Sequence, residues 1–357
     1  MKKEHILIIR FSALGDVAMA VPVVYSLAKA YPDVRITVLS RGFARALFED
    51  LAPNVSFMEA DTKREYRGMR GLNALYRRLT AKNFTAVADF HSVLRSEYLR
   101  ARFNIDRYRV EHIDKHRSAR RRLTAQNGKL LEPMPTPFQN YADVLEKLGY
   151  PIDIDFHSIF PPEGGNLNLL PALFGPKKRG EEWIGVAPFA AHDGKVYPAE
   201  RMERVLQLII DSHPRARLFL FGRGPRENEA FGRWCQLMPQ CVNVGGHLDT
   251  LHQELILMSH LDVMLSMDSA NMHLASLTAT PVVSVWGATH PYAGFVGWGQ
   301  RPCDFVQVDL PCRPCSIYGN KPCLRGDYAC MNMISPETVA ARINDVLSRV
   351  RQSDEAK

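Results

Sequence analysis

Three short segments contain residue types that together could transfer a group from a diphosphate. Asp16 follows the apolar run HILIIRF and a short turn, and a carboxylate in that position can take a proton from an attacking hydroxyl. Lys195 lies in a loop after a second apolar run, where a cation could neutralise a leaving diphosphate. Asp268 ends a third apolar run. These residues are candidates for a base, a phosphate contact and a sugar contact.

The segment 267–277, MDSANMHLASL, predicts a strand that ends at Asp268 and a helix that begins near Ser269. The free N–H groups and the dipole of a helix start favour a diphosphate, and Ser269 and His273 are near enough to donate. A simpler interpretation stays open, because Asp16 and Asp268 could each only cap the helix that follows. A lysine in a surface loop is usually solvated.

Apolar runs, turns and helical spacing alternate along the chain and predict βαβ units. A helix is expected at 22–31, with Pro22 in its first turn. The segment 161–180 is rich in Pro and Gly and predicts an interdomain linker. The predicted strands are 5–11, 35–40, 84–90, 183–189, 217–222, 241–246, 262–267 and 281–287.

A chain of 357 residues is too long for one ordinary core, which favours two domains. We expect two doubly wound α/β domains, residues 1–165 and 166–357, with ligands at the carboxyl ends of their strands. The second domain includes a cysteine-rich segment at 303–330 and a C-terminal helix.

The composition, 46% hydrophobic and 23% charged, is that of a globular protein, and no apolar run is long enough to span a bilayer. Lys2 and Lys3 resemble the start of a signal peptide, but Glu4, Arg10 and Asp16 interrupt its apolar region. We therefore expect a first core strand there and a cytoplasmic protein.

Positive charge is concentrated in the first part of the chain. Residues 1–150 contain 26 Lys and Arg against 16 Asp and Glu, whereas the rest contains 19 against 22. This asymmetry indicates an anionic partner for the N-terminal half. The segment 95–122 is especially basic, and it could instead be a solvated face or a nucleic-acid patch, although no nucleic-acid motif accompanies it.

Four cysteines, Cys312, Cys315, Cys323 and Cys330, lie within 19 residues. The first two have the C-x-x-C spacing of a metal site, so the four thiolates could bind a structural zinc ion. Disulfides are disfavoured in the cytosol, and unligated buried thiols are the alternative.

A weak dinucleotide-like signal occurs at 221–227, FGRGPRE, where Glu227 or Glu229 could reach a ribose. A helix start at the surface is the other interpretation of these glutamates. A nicotinamide-dependent oxidoreductase would show G-x-G-x-x-G after its first strand, and SALGD lacks this pattern.

The motifs RFSALGDVAMAVP, GKVYP and MDSANMHLASLTATPVVSVWGATHP together resemble glycosyltransferase family 9, the ADP-heptose:lipopolysaccharide heptosyltransferases. The resemblance implies a GT-B fold, with two Rossmann-like domains facing a cleft, and inverting transfer without a catalytic metal. It places the base on Asp16 and a donor-phosphate contact on Lys195. The remaining donor-binding positions that it implies are Asp268, Ser269, Ala270 and His273.

The family further implies ADP-heptose as donor and an anionic, lipid-linked inner-core acceptor at the inner membrane surface, with no nucleic-acid partner. We assign acceptor binding to the basic N-terminal half, specifically to Arg120, Arg121 and Arg122. Ala270 stands where the family usually has Gly, which would strain a backbone that needs positive φ. Another nucleotide-sugar donor and a basic binding protein without catalysis are the alternatives.

Overall fold

The computed structural model describes residues 4–355, with side chains as far as residue 352. Lys2 and Lys3 therefore lie outside the described residues. The chain divides into two units, the first ending at His116 and resuming over Pro135–Ile159, and the second comprising Arg117–Met134 and the residues from Phe160 onward. The division near residue 160 lies close to the predicted one. The segment 117–134, which the sequence analysis assigned to the first domain, groups with the second.

The first unit contains a five-stranded parallel sheet in the order β3-β2-β1-β4-β5. The central strand β1 is buried at all five positions, which explains its continuous apolar sequence, since helices cover both faces of such sheets. The strands are β1 (His5–Ile9), β2 (Arg35–Ser40), β3 (Val55–Glu59), β4 (Ala86–Asp89) and β5 (Arg109–His112).

The helices of the first unit follow the carboxyl ends of these strands. Pro22 lies in the first turn of α2, as predicted, and Thr136 caps α7 by accepting the backbone N–H of Gln139. The helices are α1 (Leu14–Ala18), α2 (Val21–Ala30), α3 (Arg45–Phe48), α4 (Gly68–Thr80), α5 (Leu94–Ile105) and α7 (Pro137–Lys147), while α6 (Arg117–Leu123) groups with the second unit.

The second unit contains a six-stranded parallel sheet in the order β11-β10-β9-β6-β7-β8. The neighbouring strands β6 and β9 are buried at every position. The strands are β6 (Trp183–Ala187), β7 (Arg217–Leu220), β8 (Cys241–Asn243), β9 (Val263–Met267), β10 (Val282–Val285) and β11 (Phe305–Val306).

Helices α8 and α13 pack against each other in this unit, and α13 is the predicted C-terminal helix. Within residues 4–355 no helix is long and apolar enough to cross a membrane. The helices of this part of the chain are α8 (Ala199–Ser212), α9 (Pro225–Leu237), α10 (Leu251–Met258), α11 (Ala270–Leu277), α12 (Ala329–Asn332) and α13 (Pro336–Glu355).

The predicted linker at 161–180 packs onto the second unit. Phe174 is fully buried, and its ring centroid lies 6.0 Å from that of Phe219. Lys177 forms an ion pair of 2.7 Å with Asp262. The Pro and Gly content correctly indicated irregular backbone. It did not indicate that this segment is attached to the second unit by a buried phenylalanine and by an ion pair.

Candidate active site

Each parallel sheet has a switch point, where successive strands of the chain stop being added on one side of the first strand and are added on its other side. Strand β1 has β2 on one side and β4 on the other, and β6 lies in the same way between β7 and β9. Parallel α/β sheets bind ligands at the carboxyl ends of the strands at such points. The predicted residues Asp16, Lys195 and Asp268 follow β1, β6 and β9, so the structure places all three at these positions.

Asp16 lies in the first turn of α1 and is held by an arginine from the end of β1. The distance from Arg10 Nη2 to Asp16 Oδ2 is 2.7 Å, and Arg10 Nη1 also donates to the Phe90 carbonyl at 2.6 Å. The Ala13 N–H donates to the same Asp16 oxygen at 3.3 Å. The carboxylate thus helps to cap α1, as the simpler interpretation expected, and it is also fixed by a buried cation. About a quarter of the side chain is exposed.

His91 and Asp89 at the end of β4 complete this part of the site, and the sequence analysis missed both. The Phe11 N–H donates to His91 Nδ1 at 3.3 Å, which leaves the proton on Nε2, 3.5 Å from Ser12 Oγ. Burial, together with the charges of Arg10 and Lys115, lowers the pKa of His91 to about 3, so the imidazole is neutral at physiological pH.

Asp89 is fully buried and orients the turn that carries His91. Its Oδ1 accepts the N–H groups of His91 and Ser92, both at 2.9 Å, and its Oδ2 lies 3.4 Å from Arg100 Nη1. His91 directly follows the predicted strand 84–90 and Asp89 lies at its carboxyl end, so the rule that selected Asp16 would have found them too.

In the second unit Lys195 and Asp268 form an ion pair. Lys195 Nζ lies 2.9 Å from Asp268 Oδ2, and the two side chains are 16% and 5% exposed. Thr289 Oγ1 donates to the same oxygen at 2.7 Å. The stem of Lys195 packs against Gly319, whose φ is +74° and where a Cβ would lie 2.6 Å from Lys195 Cγ. Glycine is needed there both for the conformation and for the space.

The start of α11 lies directly after this ion pair. Ser269 is at the N-cap, and its hydroxyl contacts that of Ser266 at 3.2 Å without bonding to the helix backbone. Ala270 is the first helical residue and is not among the described non-glycine residues with positive φ, so the expected strain does not arise. His273 lies on the same helix and is buried.

Glu227 lies in the first turn of α9, at the carboxyl end of β7. Its carboxylate folds over the preceding loop, where a Cβ on Gly224 would lie 2.6 Å from Glu227 Oε2. Glu227 is partly buried, whereas Glu229 is exposed. Because β7 lies beside β6, Glu227 follows the strand next to the one that leads to Lys195.

The structure corrects the placement of Arg120, Arg121 and Arg122. They lie on α6, which groups with the second unit, not the first. The guanidinium of Arg120 lies 5.6 Å from the Phe295 ring and 5.7 Å from the Tyr318 ring and donates to the Tyr318 hydroxyl. Arg121 and Arg122 are exposed.

The first unit has other exposed cations, which the sequence analysis did not single out. Lys63, Arg64 and Arg67 lie between β3 and α4, and Arg95 lies in the first turn of α5. All four follow the carboxyl end of a strand. These cations come from two separate segments of the sequence. Only the sheet topology shows that both segments lie at the carboxyl edge of the same sheet.

The four cysteines line one small, largely apolar cavity together with Arg313. All four are unpaired thiols. Burial and the neighbouring thiols raise the pKa of Cys315, and burial raises the pKa of Cys330 to about 11. Among the described residues, no three or more His, Cys, Asp or Glu side chains are arranged to hold a metal ion. The cysteines therefore converge as predicted, while the zinc ion stays a prediction.

Two successive Rossmann-like units, with a carboxylate at the switch point of one and a lysine-aspartate pair at that of the other, have the architecture of the GT-B fold class. The model of glycosyltransferase family 9 (heptosyltransferase) matches residues 72–321, and the chain belongs to this family. The resemblance and the fold class expected from the sequence are thereby confirmed.

Several named proteins are similar to this chain. Lipopolysaccharide core heptosyltransferase OpsX of Haemophilus influenzae is 24% identical over 81% of this chain and 80% of its own length. Lipooligosaccharide heptosyltransferase 2 of Campylobacter jejuni is 21% identical over 92% and 95%. The structure of E. coli ADP-heptose LPS heptosyltransferase II has a TM-score of 0.68 and 18% identity, covering 97% of this chain and 99% of that one. This last likeness shows the shared fold.

Proposed function

We propose that the protein transfers heptose, with inversion, from ADP-heptose to an inner-core acceptor of lipopolysaccharide. The observation that carries the proposal is the meeting of Lys195, Asp268 and Thr289 at the carboxyl ends of β6 and β9, directly before the start of α11. The names of the similar proteins support it, since they describe heptosyltransferases of lipopolysaccharide and one of them names ADP-heptose.

The donor end of the reaction needs positive charge, because negative charge builds on the diphosphate as the glycosidic bond breaks. Lys195 supplies a cation that is mostly enclosed, and the N–H groups at the start of α11 add the positive end of a helix dipole. Ser269 and His273 can donate further hydrogen bonds. Asp268 can accept hydrogen bonds from the sugar hydroxyls, while Glu227, after the adjacent strand, is suited to the ribose.

At the acceptor end, Asp16 takes the proton of the attacking hydroxyl. The acceptor oxygen forms a bond to the anomeric carbon, the bond from that carbon to the phosphate oxygen breaks, and ADP leaves with the electron pair. Arg10 holds the carboxylate in one orientation. No step requires a metal ion in this scheme, because Lys195 and the helix start provide the charge.

For the acceptor, we propose that the exposed cations at the carboxyl edge of the first sheet attract its phosphates and carboxylates. They are Lys63, Arg64, Arg67 and Arg95. Met69 and Leu94, which are 72% and 85% exposed, stand beside them and suit a lipid-linked substrate. This surface supports peripheral contact with the cytoplasmic face of the inner membrane. Arg121 and Arg122 remain candidates for acceptor binding, whereas Arg120 is engaged by two aromatic rings.

The cysteine cavity supports a second proposal, a structural zinc ion outside the reaction. Four thiols that line one cavity are the ligand set that zinc prefers, although the side chains as placed do not form a metal site. Elemental analysis of protein purified without chelator should show about one zinc per chain. Protein that folds and contains no metal would instead identify the four residues as buried thiols.

The proposed function is tested by incubating the protein with ADP-heptose and a lipid A acceptor that carries Kdo, and by measuring the released ADP. We expect acceptor-dependent release, together with an ADP-specific rise in melting temperature, since a ligand that binds the folded state stabilises it. UDP and GDP sugars are the matched controls. A melting temperature raised only by UDP or GDP would contradict the donor, and binding without transfer would favour a binding protein.

A further inference from the structure

Arg313 is a buried arginine whose hydrogen-bond partners belong to two short segments of the second unit, residues 286–289 and 307–308. It is 4% exposed, and none of the ion pairs among the described residues includes it. Its guanidinium donates to the carbonyls of Trp286 and Thr289 at 3.2 and 3.0 Å and also to those of Gly287 and Val308. A fifth contact, of 3.1 Å, goes to Gln307 Oε1.

Burial removes water from the guanidinium, and this cost is offset because each of its three nitrogens donates to at least one acceptor. The three carbonyls at 286, 287 and 289 belong to the turn that follows β10. A planar guanidinium with five donors can hold several carbonyls in fixed directions at once, whereas a lysine ammonium has three donors and no fixed plane. Arg313 therefore determines the path of this turn.

The same turn contacts Asp268 and the residue that directly precedes Lys195. The Thr289 hydroxyl donates to Asp268 Oδ2 at 2.7 Å, and the Ala288 N–H donates to the Gly194 carbonyl at 2.8 Å. Gly194 directly precedes Lys195. The turn is also fixed from outside, because the N–H groups of Cys315 and Ser316 donate to the Ala288 carbonyl at 3.1 and 3.3 Å.

We propose that Arg313 is a positioning residue for the donor site, which it builds by holding the turn at 286–289 against Asp268 and Gly194. It acts through Thr289 on Asp268 and through Ala288 on the loop of Lys195, without touching the donor itself. The inference rests on the proposed function, because it takes Lys195 and Asp268 as donor contacts. Pairing with an opposite charge does not explain Arg313, since four of its partners are backbone carbonyls and the fifth is the Gln307 carboxamide.

The test measures ADP affinity by calorimetry, and kcat and the KM for ADP-heptose, in Arg313→Lys, Thr289→Val and the double variant. We expect Arg313→Lys and Thr289→Val each to weaken ADP binding about tenfold or more and to raise the donor KM, as loss of a hydrogen bond to a charged group does. Thr289→Ser keeps the hydroxyl and should restore near wild-type values. Because Arg313 acts through Thr289, the double variant should be no weaker than Arg313→Lys alone.

The matched control is Arg217→Lys, since Arg217 donates to the Leu173 carbonyl at the opposite end of the same sheet. It should leave ADP affinity within about twofold of wild type, which separates a positioning effect from general loosening of the fold. Wild-type ADP affinity in Arg313→Lys would overturn the inference. The inference would also be overturned if the loss of ADP affinity in the double variant equalled the product of the losses in the two single variants.

Amide hydrogen exchange at Ala288 tests the role of Arg313 without relying on ADP binding, so it separates this inference from the proposed function. If wild-type protein does not bind ADP, the donor assignment fails, and exchange at Ala288 then decides the inference alone. Faster exchange at Ala288 in Arg313→Lys supports it, because the N–H group is no longer held on Gly194. Unchanged exchange overturns it. Should Arg313→Lys not fold, Thr289→Val with Thr289→Ser still tests the link to Asp268.

Discussion

Replacing Lys195 by methionine should affect both stability and donor binding, and the structure allows the two effects to be separated. Lys195 and Asp268 are mostly buried at 2.9 Å, and removal of one partner from a buried ion pair costs about 3–5 kcal/mol. Asp268 keeps the Thr289 hydroxyl, so we expect about 3 kcal/mol. For a unit of this size that corresponds to a fall in melting temperature of roughly 6–12 °C.

Donor binding should weaken independently of this loss of stability. A charge-assisted hydrogen bond to phosphate contributes about 1.5–3 kcal/mol, so the Kd for ADP should rise roughly 10- to 100-fold. The double variant Lys195→Met with Asp268→Asn removes both charges and should recover most of the melting temperature, but not the ADP affinity. Differential scanning fluorimetry and calorimetry measure the two quantities.

Lys177→Met is the matched control for this experiment. Lys177 forms a 2.7 Å ion pair with Asp262, directly before β9 and thus at the opposite end of that strand from Asp268. This variant should lose stability while keeping wild-type ADP affinity. The reasoning is refuted if Lys195→Met retains both the wild-type melting temperature and an ADP Kd within about twofold of wild type.

Two further predictions concern the arginines of α6 and the buried histidine. Arg120→Ala should destabilise the protein by about 1–2 kcal/mol, because it removes the contacts of the guanidinium with two aromatic rings. Arg121→Ala and Arg122→Ala should change the stability by no more than about 0.5 kcal/mol. Equal effects of the three substitutions in thermal unfolding would contradict this prediction. Because the pKa of His91 is lowered to about 3 in the folded protein, its contribution to stability is fully present above about pH 6.5 and is lost as the pH falls towards 3. His91→Gln should therefore reduce the loss of stability between pH 7 and 5 by about 2 kcal/mol in denaturant titrations, and an unchanged loss would show that His91 does not titrate in this way.

The strands could be predicted from the sequence where they are buried on both faces. All eight predicted strands are present, because central parallel strands are continuous apolar runs. The sequence analysis missed β3, β5 and β11. Two of them, VSFME and RVEH, are edge strands with several exposed or partly exposed residues, and the third has only two residues. None of the three contains the continuous apolar run by which the other strands were predicted.

The candidate site could be predicted in part, by the rule that ligands bind after the carboxyl ends of strands. That rule selected Asp16, Lys195 and Asp268, and the structure places them after β1, β6 and β9, while their roles stay predictions. It cannot pair Lys195 with Asp268, because their contact depends on β9 lying beside β6, which sequence order does not reveal. Arg313 was hidden for the same reason, since its partners come from the segments that follow β10 and β11.

The placement of the arginines at 120–122 failed for a different reason. The prediction treated the N-terminal part as one continuous domain, but the chain leaves the first unit at His116 and returns at Pro135. Lys129 Nζ donates to the carbonyls of Pro311 and Pro314, both at 3.1 Å, and so fastens this segment to the second unit. No composition change or repeat marks such a crossing in the sequence.

The most direct test of the account is the turnover of Asp16→Asn with ADP-heptose and the inner-core acceptor, followed as acceptor-dependent ADP release. The variant should bind ADP with wild-type affinity, because Lys195 and Asp268 are unchanged, while its kcat falls by about 10²–10⁴, the usual contribution of a general base. Near wild-type turnover in Asp16→Asn would remove this carboxylate from the reaction and contradict the proposed mechanism.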